Sequence, residues 1–210
     1  MPKIKVPRKN THLDMTAMCD VGFLLLTFFI LTAKFRPNEL VEIVTPASRA
    51  TETVKDDLVT ISVDKEGNAY YIASSPRRKA EILDKMIEKY GTKYTMLNNL
   101  SPKQKAQFTQ LEQIAFSAQA IPQMVGIKQE EMKKMKERGQ LTGVPKDSTN
   151  NELGDWIMAT RYAYEGDKIT FAIKGDKTSN IVAIKRVIDV LREKDVNSFK
   201  LVTALEGNKD

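Results

Sequence analysis

The stretch Met15-Thr16-Ala17-Met18-Cys19-Asp20-Val21-Gly22-Phe23-Leu24-Leu25-Leu26-Thr27-Phe28-Phe29-Ile30-Leu31-Thr32-Ala33 decides how the rest of the sequence is read. From Val21 to Ala33 it carries no charge, and across residues 15–33 Asp20 is the single charged side chain. At 1.5 Å per residue a helix of this length measures roughly 28 Å, close to the hydrocarbon thickness of a bilayer. Three readings compete for it. A secretory signal peptide has the basic start that Lys3, Lys5, Arg8 and Lys9 supply, but it needs a small-residue cleavage site beyond the apolar centre. Here the exit is Lys34-Phe35-Arg36-Pro37, wrong in charge and in size. A core helix of a soluble domain is the second reading, with Asp20 as a plain N-cap. Such helices normally keep a polar stripe, whereas Phe23 to Leu31 is apolar on every face except at Thr27. The third reading is a single membrane anchor, flanked by basic residues able to snorkel to an interface.

Outward from this segment the chain is hydrophilic. Charged residues make up 29% of 210 residues, so most of the chain belongs in water. The net charge of +6 does not mark a nucleic-acid binder, because 33 Lys and Arg are dispersed among 27 acidic residues with no basic stripe interleaved with aromatics. The one dense cluster, Lys133, Lys134, Lys136 and Arg138, is offset by Glu130, Glu131 and Glu137 and reads as a solvated helix face. Cys19 is the only cysteine, so no intrachain disulfide supports the fold. Basic residues before the span outnumber those just after it only slightly, which favours a cytoplasmic N-terminus (residues 1–14) by a narrow margin.

An ionised carboxylate within a bilayer costs at least a few kcal/mol, by roughly the translocon scale. A carboxyl group that is neutral in one setting and charged in another is what a proton-carrying step requires. On a helix Asp20, Thr27, Leu31 and Lys34 fall on one broad face, with Thr16 one turn before Asp20. The hydroxyls of Thr16 and Thr27 are candidate supporting polar groups, although a threonine in a membrane helix commonly bonds to its own backbone. One helix cannot enclose a proton path. If Asp20 is functional, the chain is one subunit of a larger complex.

After the span, residues 34–56 read as an extended linker. Within it Leu40, Val41, Ile43 and Val44, followed by Pro46, have strand-like alternation and can pair with another chain. A hairpin follows: Leu58 to Val63, turn chemistry at Asp64 to Asn68, and a return from Ala69 to Ile72. Arg77 to Tyr90 predicts a helix ended by Gly91. Lys168 to Lys174 predicts a strand, Ile181 to Lys194 a helix facing inward with Ile184, Val187, Ile188 and Leu191, and Phe199 to Leu205 a last strand. Together residues 57–92 and 166–206 predict a small two-layer α/β domain. Between them, residues 93–165 predict a helical insert: a helix from Pro102 to Ala120 broken at Pro122, another from Lys128 to Arg138, and a third from Asn150 to Tyr164. Met124, Met132, Met135 and Met158 are read as packing. No Cys/His pair, glycine-rich phosphate loop or metal-ligand spacing stands out, and His12 lies before the span. The reading is of a non-enzyme without a cofactor.

The run Leu13-Asp14-Met15-Thr16-Ala17-Met18-Cys19-Asp20-Val21-Gly22-Phe23-Leu24-Leu25-Leu26-Thr27-Phe28-Phe29 resembles the ExbD/TolR family, in which a polar entry leads to an Asp-Val pair and a Leu/Phe-rich helix. Phe171 to Thr178 is similar to the family's strand and turn before a helix, and Val44-Thr45-Pro46-Ala47 to its post-membrane stretch. Ala17 stands where the family usually has proline, and the 93–165 insert has no counterpart in short members. The resemblance implies a single-pass inner-membrane subunit with a periplasmic C-terminal domain, a homodimer inside a ring of multi-span ExbB/TolQ-like subunits. It implies that Asp20 is the proton-linked residue and that the periplasmic domain drives a TonB-like protein or the Tol machinery. A TolR-like envelope-integrity role is the alternative within that class. A passive anchored adaptor, or a module contacting peptidoglycan, is the alternative outside it.

Overall fold

The computed structural model describes residues 15–32, 57–175 and 180–203. The chain divides into two compact units, Met1–Pro37 and Asn38–Asp210. In the first, α1 runs from Met15 to Thr32. With alanine and not proline at position 17, the helix is continuous from Met15. The linker residues Leu40, Val41, Ile43, Val44 and Pro46, and the turn at 176–179, lie outside the described residues.

In the second unit a four-stranded sheet is built from β1 (Leu58–Val63), β2 (Ala69–Ala73), β3 (Thr170–Gly175) and β4 (Phe199–Thr203) in the order β2-β1-β3-β4. β1 and β2 form the antiparallel hairpin read from the sequence, with Val59 opposite Ala73 and Ile61 opposite Tyr71. Asp64 closes its turn. The carboxylate accepts hydrogen bonds from the Asn68 backbone N–H at 2.7 Å and the Tyr70 hydroxyl at 2.7 Å, and Gly67 supplies the positive φ of 88°. β1–β3 and β3–β4 are parallel, so each needs a crossover. α7 (Ile181–Glu193) supplies the second, and α2 (Pro76–Tyr90) starts the first.

The register sets one face of the sheet. Val59, Ile61, Phe171 and Ile173 align across β1 and β3 and are all but fully buried. Against them pack Ile82, Leu83 and Met86 of α2 and Val187, Val190 and Leu191 of α7. Ile184 and Ile188 are half-buried against the same core, in line with the 3.6-residue period.

Residues 93–165 join this core and do not form one of their own. Leu97, Phe108, Ile121, Leu153 and Trp156 all belong to the same cluster as the sheet residues. α3 (Pro102–Gln110) opens with the capping box Ser101/Gln104, but it stops at Gln110 and not at Ala120. The chain after it leaves the helix to pair with β2: Ile114 N–H donates to the Tyr71 carbonyl at 2.8 Å, and Tyr71 N–H to the Ile114 carbonyl at 3.1 Å. An edge strand with unpaired backbone groups outweighs local helix propensity here. Pro122 does not break a helix. It sits in the first turn of the short α4 (Ile121–Met124), where its missing N–H costs nothing. α5 (Gln129–Glu137) and α6 (Glu152–Ala163) lie within a residue or two of their expected limits. Met124 and Met132 are buried and Met135 packs on the core, so these three are packing residues.

The loop after α5 returns to the hairpin. Val144 N–H donates to the Ala69 carbonyl at 2.7 Å. Gly143, at φ 73°, passes so close that a Cβ there would lie 2.6 Å from that same carbonyl oxygen, which is why only glycine fits.

Three buried tyrosines make the fold sensitive to alkali. Burial pushes Tyr70, Tyr71 and Tyr94 far above the ordinary phenol value, and hydrogen bonds to Asp64 and Asp155 add to it for Tyr70 and Tyr94. The folded state therefore holds these protons where the unfolded chain loses them. Their contribution is fully present below pH ~10 and declines as pH rises beyond it. Lys79 works the other way, since burial lowers it and its titration favours the fold as pH rises. Half-buried Tyr90 is raised in the same direction, so the tyrosines outweigh Lys79 and leave a net loss. Urea unfolding between pH 8 and 11.5 should show stability falling steeply only above pH ~10, and Tyr71→Phe should make that slope shallower. An unchanged slope in Tyr71→Phe would contradict the assignment.

Candidate functional site

α1 is the most apolar helix among the described residues, and its apolar side chains are exposed all round. Phe23, Leu24, Leu26, Phe28, Phe29, Ile30 and Leu31 are each more than half exposed, and Leu31 reaches 85%. No soluble surface tolerates a patch of this extent uncovered. The two threonines of its second half are masked as polar groups by the helix itself. Thr27 donates to the Leu24 carbonyl at 3.0 Å and Thr32 to the Phe28 carbonyl at 2.7 Å. Asp20 lies exposed near the N-terminal end with Thr16 one turn before it, and the 100° step places Thr27 and Leu31 on the same side. No helix among the described residues is long and apolar enough to cross a membrane. α1, with 18 described residues, measures roughly 27 Å, and Ala33 onward lies outside the described residues.

The second unit holds buried charges of a different kind, which no local sequence pattern marks. Glu152 is 1% exposed and accepts from the Ser117 hydroxyl at 2.6 Å and the Ala118 N–H at 2.9 Å. Asp155, one turn on, accepts from Lys93 Nζ at 2.6 Å and from the Tyr94 hydroxyl at 2.7 Å. In the sequence both look like ordinary acids in the first turn of a helix, favoured there by the dipole. The fold instead uses them as ties between α6 and the irregular segments around it. Satisfied on both sides, they are structural groups and offer no reacting atom.

Lys133, Lys134 and Arg138 are exposed, as expected of a solvated face. Lys136 alone turns inward, with its ammonium 5.1 Å from the centre of the Tyr70 ring and 4.0 Å from Asp64. Among the described residues no group of three or more His, Cys, Asp or Glu is placed to hold a metal ion.

At the C-terminal end of the sheet, Ile181 and Val182 at the start of α7 are exposed, as are Leu201 and Val202 on β4. β4 pairs only with β3, so its outer edge is open among the described residues, whereas the outer edge of β2 carries the Ile114 bridge.

The family model for the biopolymer transport protein ExbD/TolR matches residues 7–206, nearly the whole chain. The chain belongs to the ExbD/TolR family. No match is found among curated proteins or among solved structures. ExbD/TolR proteins are inner-membrane, non-enzymatic components of biopolymer transport that work with ExbB/TolQ-type partners, and membership supports an energy-transducing role for this chain. The mixed α/β domain fits the periplasmic part of such a protein.

Proposed function

We infer that this ExbD/TolR member is a proton-motive-force-driven subunit of ExbD type, anchored in the inner membrane by α1 and energising TonB-dependent outer-membrane transport. One observation carries the reading: a helix with apolar side chains exposed on every face that nonetheless holds a charge, Asp20. Apolar exposure of that extent requires lipid or partner helices, and a carboxylate among them is expensive enough to need a purpose. Residues 15–33 form the span, the N-terminus is cytoplasmic, and the domain beyond residue 57 works in the periplasm. Asp20 exchanges the proton, with Thr16 and Thr27 on its face as supporting polar groups. The chain acts as a homodimer enclosed by a multi-span ExbB/TolQ-like protein, because one helix cannot shield the carboxyl by itself.

Force then passes through the linker to the periplasmic domain. Leu40, Val41, Ile43, Val44 and Pro46 are the segment proposed to pair with a partner, and the edge of β4, open among the described residues, supports strand addition as the mode. A TolR-like role in envelope integrity is the second reading, since the family match covers both branches.

Detergent extracts of cells producing the tagged chain test the complex. A multi-span membrane protein should co-purify with the full chain and be lost when residues 15–32 are replaced by an unrelated polar linker. Recovery of the chain alone would remove the motor reading. A TonB-like rather than a Pal-like protein cross-linked to the periplasmic domain would separate the two branches.

A further inference from the structure

Between the C-terminal end of α3 and the start of α5 lies a cleft of about 190 Å³ lined by Gln107, Gln110, Gln113 and Gln129, with Met132 on its apolar wall and Glu112 as its only charged residue. Gln113 is 3% exposed, and neither the nitrogen nor the oxygen of its amide has a partner. Glu112 Oε2 is likewise buried without one. Each such group costs about 1–3 kcal/mol when left unmade, so their concentration in one place calls for a ligand or water. Behind them is a second space of about 10 Å³, which shares Glu112 and Gln113 with the cleft and is also lined by Trp156, whose indole N–H has no partner either. That inner space suits a single water. The outer cleft is far larger.

The chemistry of the lining selects an occupant. A primary amide donates and accepts side by side, and its complement is a group that does the same, such as a peptide backbone unit. Glu112 is the only charged residue lining the cleft, and Lys79, which borders the adjoining space, is engaged by the Leu111 carbonyl, so anionic ligands are disfavoured and neutral or basic ones admitted. Its volume is below the roughly 300 Å³ at which drug-sized ligand sites begin, so it encloses only a short part of an extended chain, the rest lying outside the cleft. No aromatic face lines it for a sugar ring to stack on. We propose that this cleft binds a short, extended, uncharged or basic peptide segment of a partner protein. The cleft lies wholly in the second unit, and the proposal stands apart from any proton-carrying role of Asp20.

Trp156 is the only tryptophan in the chain and borders the inner space, so its fluorescence reports on the site. The full chain in detergent micelles is titrated with a doubly blocked alanine-leucine-alanine tripeptide, with versions carrying central lysine or aspartate, and with N-acetylglucosamine. The 13C-methyl NMR signal of Met132 serves as a second readout. The neutral and lysine peptides should give saturable changes, the aspartate peptide should bind at least about tenfold more weakly, and the sugar should give none. Gln113→Met should weaken peptide binding roughly tenfold, corresponding to one to two lost hydrogen bonds. Gln110→Ala, at an exposed position, should weaken it severalfold and covers the case in which Gln113→Met does not fold. The proposal is overturned if neither signal responds to any peptide, if only the sugar binds, if the aspartate peptide binds equally well, or if the folded variants bind as the parent does.

Discussion

Asp20→Asn is expected to abolish energised transport while leaving expression and assembly at the parental level. Asparagine has nearly the same shape as aspartic acid and keeps a polar side chain at the same point of α1, but it cannot take up or release a proton. Exposed on the helix as Asp20 is, the exchange disturbs no packing among the described residues. The cost of placing a carboxylate among apolar side chains, a few kcal/mol by roughly the translocon scale, disappears in the variant. Assembly should therefore be unharmed or slightly favoured. A passive anchor would not notice the change, and an energy-transducing one would lose its coupling. Uptake of an energy-dependent substrate by cells carrying only the variant, alongside co-purification of the multi-span partner, separates these cases. Retained uptake would sink the proton role of Asp20. Asp20→Glu should recover part of the activity, because a titrating group returns about one methylene out of place. If Glu fails as completely as Asn, the carboxyl acts through a fixed contact and not through titration.

Trp156→Ala should cost about 3–5 kcal/mol of stability in the second unit, the range for removing a large aromatic from a packed core. Trp156 is fully buried, with its ring stacked on Phe108 at 6.0 Å between centres and tilted against Tyr71 at 5.9 Å. It joins α6, α3 and β2 at one point, so the cavity left behind cannot close by movement of a single element. Against a typical total of 5–15 kcal/mol, that loss is a third or more for many domains. Trp156→Phe should cost much less than Trp156→Ala, since most of the ring contact survives and the unpartnered indole N–H is removed. Urea unfolding followed by far-UV circular dichroism measures both, the fluorescence probe having been lost. Equal losses for Ala and Phe would show that the stacked rings are not what holds this junction.

Where the sequence was legible, one physical signal dominated each element. The hairpin carried period-2 alternation and turn residues, and α2 and α7 carried a 3.6-residue apolar face, so each was found within a few residues. The stretch after Gln110 was not legible. Its residues favour helix as readily as anything else, and only the unpaired edge of β2, distant in sequence, draws Ile114 into an extended bridge. The burial of Glu152 and Asp155 was hidden for the same reason, because their partners Ser117, Lys93 and Tyr94 lie more than thirty residues away.

For the candidate site the division is different. Asp20 was conspicuous in the sequence because a lone charge in an apolar run needs no tertiary contact to be anomalous; its cost follows from composition alone. The glutamine cleft was invisible, since amide residues spread over positions 107–129 are unremarkable until folding buries one of them without a partner. The sequence by itself determined the apolar helix with its single acid, the hairpin and the amphipathic helices, because local periodicity and solvation fix these. The tertiary structure alone decided where residues 93–165 pack, which charges become internal ties, and where unmet hydrogen-bonding groups gather. Those outcomes depend on contacts between residues far apart in the chain, and no local pattern encodes them.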